Sequence, residues 1–158
     1  MPKSDWRSVL NGDPLPWLLE PDYPSVRYFA LTDLLDRSAD DPDVVATRAE
    51  INSSFPVKNI LDAMYPAGYW VKPGAGYSPK YRSTVWSLMF LDQLGADGDD
   101  PRIRAACGYI LTHTQAPNGG FGFSLANSAV VHCLNGNLLR AMLDFGLGDD
   151  ERVQRAIE

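Results

Sequence analysis

Apolar residues recur at helical spacing along most of the chain, and no segment shows the clean alternation of a β-strand. Segments 84–94 and 126–145 are apolar on most of their helical surface, which is typical of helices buried on more than one side. A third apolar segment runs from Val26 to Leu35. The pattern therefore predicts an all-α fold.

An acidic loop and a more charged helix follow each apolar segment. The three loops are Asp40-Asp41-Pro42, Asp99-Asp100-Pro101 and Asp149-Asp150-Glu151. Aspartate is a preferred N-cap because its carboxylate accepts the free N–H groups of the first helical turn, and proline suits the first helical position. A recurrence of about 50 residues predicts stacked helix pairs, with the apolar helices inside and the charged helices outside.

The turns that follow the first two charged helices also correspond. The matched residues are Ile60-Leu61, Tyr65, Gly68 and Trp70 in the earlier copy, and Ile110-Leu111, Gln115, Gly119 and Phe121 in the later copy. The later copy, opened by Arg104-Ala105, resembles the QW repeat of squalene-hopene cyclases, related terpenoid cyclases and protein prenyltransferases. In this register Phe121 stands where tryptophan is usual, and Tyr65 replaces the glutamine in the earlier copy.

The resemblance implies an α/α-toroid, in which inner and outer helices form concentric rings. A complete toroid has more helix pairs than the three predicted here, so residues 24–158 are expected to form a partial ring and a fragment of a longer one. Residues 1–23 combine several prolines with Trp6 and Trp17, and they are predicted to be an irregular arm with one helical turn near 15–20.

The charge and composition of the chain indicate which classes of binding partner and which location to expect. The formal net charge of −6 argues against nucleic acid, whose phosphates need a basic surface. No apolar run is long enough to span a bilayer, and the N-terminus lacks the apolar stretch of a signal peptide. Two cysteines are too few for a disulfide framework. The expected location is cytoplasmic.

The resemblance also implies an apolar, isoprenoid-type ligand in the central hollow, with Trp86 and Phe90 in its lining. Aromatic faces can stabilise carbocations, although core packing accounts for the same residues. The loop at 71–82 contains basic side chains beside tyrosines that can together hold a diphosphate: Lys72, Tyr77, Lys80, Tyr81 and Arg82. The alternative is a solvated connector whose tyrosines cover helix ends.

Polar residues interrupt the last apolar segment. They are His132, Asn135, Asn137 and Arg140. If this helix lines the hollow, these side chains face a ligand or ordered water; otherwise they mark a helix break near Asn135–Gly136. Unpaired polar groups inside a protein cost about 1–3 kcal/mol each, so either reading requires partners for them.

The sequence motifs assign neither a catalytic residue nor a metal ligand. The string Asp97-Gly98-Asp99-Asp100 fits the DXDD acid motif of squalene-hopene-type cyclases, but the recurring acidic loops favour N-caps. His132 and Cys133 are adjacent and lack zinc-site spacing, so neither a metal nor another cofactor is expected. Cys107 and Cys133 are predicted to be small core residues.

The alternative to a ligand-binding domain is a non-catalytic interaction module, which assembles with a partner or a second copy through exposed apolar helix edges.

Overall fold

The protein folds into helices joined by irregular segments. A computed structural model describes residues 6–158. The α-helices are α1 (Leu15–Leu18), α2 (Pro24–Phe29), α3 (Pro42–Ile51), α4 (Val57–Asp62), α5 (Thr84–Gln93), α6 (Pro101–His113), α7 (His132–Asp144) and α8 (Glu151–Ile157). A π-helical turn at Ala30–Leu34 extends α2. Residues 6–158 contain no β-strand, so the all-α prediction is confirmed.

Helix α5 lies at the centre of the hydrophobic core. Val85, Leu88 and Leu91 are fully buried, and α5 contacts α4, α6 and α7. Burial on several sides is what its uniformly apolar sequence predicts. The interior position expected for segment 84–94 is therefore confirmed.

An aspartate caps the start of each charged helix. The capping carboxylate accepts the backbone N–H two residues further on, at 2.8 to 2.9 Å, in Asp41, Asp100 and Asp150. The guanidinium groups of Arg102 and Arg152 also bind Asp100 and Asp150. These bonds hold the pKa of Asp100 below its usual range and lower the pKa of Asp150 to about 2. The N-cap interpretation of the acidic loops is confirmed, and it includes the DXDD-like string.

Two turns touch the next charged helix with backbone alone. Gly68 and Gly119 have φ angles of +87° and +92°, in the left-handed region that favours glycine. A Cβ atom on Gly68 would lie 2.5 Å from the carbonyl oxygen of Ala105, and one on Gly119 would lie 2.4 Å from that of Arg155. The same close contact therefore joins α4 to α6 and α6 to α8.

The turn geometry corrects the sequence register by one residue. The N–H of Gly68 donates to the carbonyl of Tyr65, whereas the N–H of Gly119 donates to that of Ala116. The position of Gln115 is therefore equivalent to Met64, and the match of Tyr65 with Gln115 is wrong. The sequence match aligned the preceding isoleucines, but one residue is inserted between them and the turn.

The start of α7 also differs from the prediction. Helix α7 runs without interruption through Asn135 and Gly136, so the alternative of a helix break at these residues is wrong. The chain is instead irregular just before α7, between a 3₁₀ turn at Asn127–Ala129 and His132.

Cys107 is buried, which raises the pKa of its thiol to about 12. Cys133 is exposed on the first turn of α7, so its predicted place in the core is wrong.

The arm contacts the first helix pair. Leu15 on α1 is buried, and the Arg27 guanidinium donates to the carbonyl of Leu19 and, at 3.1 Å, to the hydroxyl of Thr47. Residues 1–5 of the predicted arm lie outside the described residues. None of the helices in residues 6–158 combines the length and the apolar character that crossing a bilayer requires.

Replacing Gly119 by alanine is expected to destabilise the protein by at least about 2 kcal/mol. The new Cβ atom meets the Arg155 carbonyl, and the left-handed backbone adds strain of about 1–3 kcal/mol. Gly108 is the control, because it lies in α6 with open space around its Cα atom. Gly108→Ala should raise the free energy of unfolding by about 0.5–1 kcal/mol. Urea unfolding measures both changes, and a Gly119→Ala protein as stable as the parent would contradict the contact.

Candidate functional site

Four aromatic rings meet at the start of α5. We call Tyr77, Tyr81, Trp86 and Phe123 the aromatic cluster. The ring centres of Tyr81 and Trp86 are 4.8 Å apart, those of Tyr77 and Trp86 are 5.4 Å apart, and those of Tyr77 and Phe123 are 6.1 Å apart. Such spacings are typical of interacting aromatic side chains.

The aromatic cluster keeps part of its surface in contact with solvent. Tyr81 is 64% exposed and Phe123 is 50% exposed, while Trp86 is half-buried. The indole N–H of Trp86 donates to the carbonyl of Tyr77 at 2.8 Å, so the rest of its ring is an apolar surface. Trp70 differs, because it is only 3% exposed and belongs to the core.

Backbone strain accompanies the aromatic cluster. Tyr81 has a φ angle of 63° and Val71, in the same loop, has one of 68°. Left-handed backbone costs about 1–3 kcal/mol in residues other than glycine, and it persists where the surrounding structure requires it. At Tyr81 this conformation accompanies the contact of its ring with Trp86.

Basic side chains lie next to the aromatic cluster. The Lys80 ammonium group lies 5.8 Å from the centre of the Tyr77 ring, within the range of a cation–π interaction. Lys72 lines a cavity of about 260 Å³ together with Tyr77 and Phe123. Arg82 is exposed in the same loop. Of the residues predicted from the sequence, the structure therefore groups Lys72, Tyr77, Lys80, Tyr81 and Trp86.

Phe90 and the predicted residues of α7 lie elsewhere. Phe90 is half-buried one helical turn beyond Trp86, on the same face of α5. His132 and Asn137 are exposed on α7, and the Asn137 amide donates to the carbonyl of Cys133 in its own helix. None of these side chains belongs to the aromatic cluster.

Asn135 joins three parts of the fold. Its side-chain oxygen accepts the N–H of Phe121 at 2.8 Å, and its amide nitrogen donates to the carbonyl of Ala156 at 3.2 Å. In the preceding repeat the Thr84 hydroxyl accepts the N–H of Trp70 at 3.2 Å. Both polar atoms of Asn135 thus bind backbone, and its role in the described structure is to hold the turn against α7 and α8.

Arg140 belongs to a different cavity, which the sequence did not predict. This cavity measures about 320 Å³ and lies where the ends of the three apolar helices meet. We call it the carboxylate cavity; the charged side chains in its lining are Asp33, Arg48, Asp92, Arg140 and Asp144. The rings of Tyr28 and Phe29 line it as well.

Asp92 is the buried acid of this cavity. Only 5% of its side chain is exposed, and the Arg140 guanidinium approaches it to 3.7 Å. Burial, supported by a hydrogen bond with the Asp144 carboxyl, raises the pKa of Asp92 to about 7 against the attraction of Arg140. Asp92 is the one charged residue in the apolar segment 84–94, and that isolation is the sequence signal that could have identified it.

Comparisons with known proteins give this chain no family. No protein-family model matches it, and the search of curated proteins returns no match. The aromatic cluster and the carboxylate cavity are therefore the basis for a functional assignment.

Replacing Asn135 by alanine is expected to lower the free energy of unfolding by about 1–3 kcal/mol, because it leaves the Phe121 N–H and the Ala156 carbonyl without their partner. Asn137 provides the control on the same helix. Asn137→Ala should change stability by less than about 0.5 kcal/mol, since its amide bonds only within α7 at the surface. Urea unfolding of both variants makes the comparison, and equal losses would contradict the role of Asn135.

Asp92→Asn is expected to remove part of the pH dependence of stability. The folded protein keeps the Asp92 proton up to a pKa of about 7, whereas an unfolded aspartate loses it near pH 4. Stability from this group therefore falls as pH rises between those values. Between pH 5 and pH 8 the parent should lose about 1–2 kcal/mol more than the variant, allowing for solvent screening. Urea unfolding at both pH values tests this, and identical pH profiles would contradict it.

Proposed function

We propose that this chain is a partial α/α-toroid of the terpenoid cyclase and prenyltransferase type, and that it binds an apolar, isoprenoid-type ligand on the aromatic cluster. The observation that carries the proposal is the solvent-accessible group of four rings beside an otherwise buried apolar helix. The proposal concerns binding, and it assigns no catalytic residue.

The packing of the helices supports the toroid part of the proposal. Apolar helices α5 and α7 contact each other, and each contacts the charged helix that follows it, α6 or α8. Through Gly68 the turn after α4 contacts α6, and through Gly119 the turn after α6 contacts α8. An inner layer of apolar helices and an outer layer of charged helices are the arrangement that the resemblance implies.

The chemistry of the aromatic cluster favours an apolar chain with an anionic end. The exposed faces of Tyr81 and Phe123 gain about 25 cal/mol for each Å² of apolar surface that a ligand removes from water. The Lys80 ammonium group lies over the Tyr77 ring and Lys72 lines the cavity beside Tyr77 and Phe123, so both can pair with a phosphate or diphosphate. A prenyl diphosphate satisfies both halves of the surface.

Binding of farnesyl diphosphate, measured by isothermal titration calorimetry, tests this function. Phe123→Ala should weaken binding about tenfold, because loss of the exposed half of a phenylalanine contact costs about 1–2 kcal/mol. The matched control is Phe55→Ala, which removes a 75% exposed phenylalanine outside the aromatic cluster and should leave the affinity unchanged. Absence of binding by the parent protein, or equal affinities of the two variants, would contradict the proposal.

A second candidate is an interaction module. Apolar side chains near the aromatic cluster remain exposed, among them Leu125 and Val131 as well as Phe123. Contiguous exposed apolar surface is typical of a protein interface. Native mass spectrometry of the same preparations separates the two functions: a ligand-bound monomer favours the isoprenoid site, whereas a dimer that dissociates in the Phe123→Ala variant favours the interface.

A further inference from the structure

The carboxylate cavity is separate from the aromatic cluster. Asp92 lies six residues after Trp86 on α5, which places it about 9 Å further along the helix axis. The two sites share no lining residue. The cavity volume of about 320 Å³ is at the lower end of the range for small-molecule sites.

The charges of the carboxylate cavity do not balance when every acid is ionised. Each element around it contributes a charged group: Asp33 from the extension of α2, Arg48 from α3, Asp92 from α5, and Arg140 with Asp144 from α7. Three carboxylates therefore face two guanidinium groups. With every acid ionised the cavity is short of one positive charge, which the proton on Asp92 supplies at lower pH.

Both guanidinium groups already have partners. The Arg140 guanidinium donates to Asp144 at 3.2 Å and stands 3.7 Å from Asp92. The Arg48 guanidinium lies 6.0 Å from the centre of the Tyr28 ring. Since 3.7 Å is beyond hydrogen-bonding distance, the buried Asp92 carboxylate receives no hydrogen bond from Arg140. The hydrogen bond between Asp92 and the Asp144 carboxyl needs a proton on one of the two acids, so the fully ionised Asp92 carboxylate has capacity for a donor from outside the chain.

We propose that the carboxylate cavity binds a small organic cation, a primary ammonium group on an apolar stem, with Asp92 as its counter-ion. The ammonium group supplies both the missing positive charge and hydrogen-bond donors to Asp92. The rings of Tyr28 and Phe29 line the same cavity and can pack against the stem. An alcohol would leave the charge imbalance in place, and a carboxylate would increase it.

A metal cation fits less well. Among residues 6–158, no group of three His, Cys, Asp or Glu side chains converges in a way that could hold a metal ion. Hard cations need several oxygen ligands around one point, whereas an ammonium group is held by one carboxylate and an aromatic face. The spread of Asp33, Asp92 and Asp144 over three helical segments therefore suits the organic cation.

Calorimetric titration of the whole protein with 2-phenylethylammonium tests the site, with 2-phenylethanol and 3-phenylpropionate as neutral and anionic counterparts. We expect the ammonium ion to bind at least tenfold more tightly than either. Its affinity should be about tenfold higher at pH 8 than at pH 6, because a carboxyl with a pKa of about 7 is mostly ionised only at the higher pH. Equal binding of the alcohol, or an affinity independent of pH, would overturn the proposal.

Variants locate the site. Asp92→Asn should weaken binding of 2-phenylethylammonium at least tenfold at pH 8 and abolish its pH dependence, whereas Asp149→Asn, an exposed aspartate outside the cavity, should leave both unchanged. Phe123→Ala should also leave both unchanged, so this test is independent of the isoprenoid proposal.

If Asp92→Asn does not fold, titration of the parent at pH 7 in two buffers of different ionisation enthalpy replaces it. Proton release on binding is expected, and its absence would overturn the proposal.

Discussion

The fold depends on two places where the backbone of a turn touches the carbonyl of the next charged helix. At Gly68 and Gly119 there is no room for a side chain, and the left-handed backbone conformation favours glycine for a second reason. These contacts hold the turn after α4 against α6 and the turn after α6 against α8. The apolar helices connected to them are brought together as a consequence, and Gln115 strengthens the second contact by donating to the carbonyls of Gly119 and Arg152.

Helix α5 carries Trp86 of the aromatic cluster and Asp92 of the carboxylate cavity, and its packing holds both residues in position. Its apolar side chains are buried against three other helices, so its two ends are held in fixed positions. The first turn presents Trp86 to the aromatic cluster, and the last turn presents Asp92 to the carboxylate cavity. Sites supported by packed helices are positioned more closely than sites on loops alone.

The two sites have opposite physical character. The aromatic cluster offers apolar surface on which the Trp86 indole N–H is already hydrogen-bonded, and the Lys80 ammonium group lies over its Tyr77 ring. The carboxylate cavity offers charge in a confined space, where burial and a hydrogen bond with the Asp144 carboxyl raise the pKa of Asp92. A buried acid of this kind weakens the folded state at neutral pH, and perturbed acids of this kind cluster at functional sites.

Local chemistry in the sequence determined the helices, their caps and their burial. Helical spacing of apolar residues, the recurring Asp-Pro pairs and the uniformly apolar segment 84–94 each act within a few residues, so they can be recognised without the fold. Only the tertiary structure decided the rest. Asn135 bonds to Phe121 and Ala156, partners 14 and 21 residues away, and the carboxylate cavity collects side chains from four separate elements. The one-residue shift between the turns that contain Tyr65 and Gln115 could not be recognised from the sequence either, because backbone hydrogen bonds rather than residue similarity set the register of a turn.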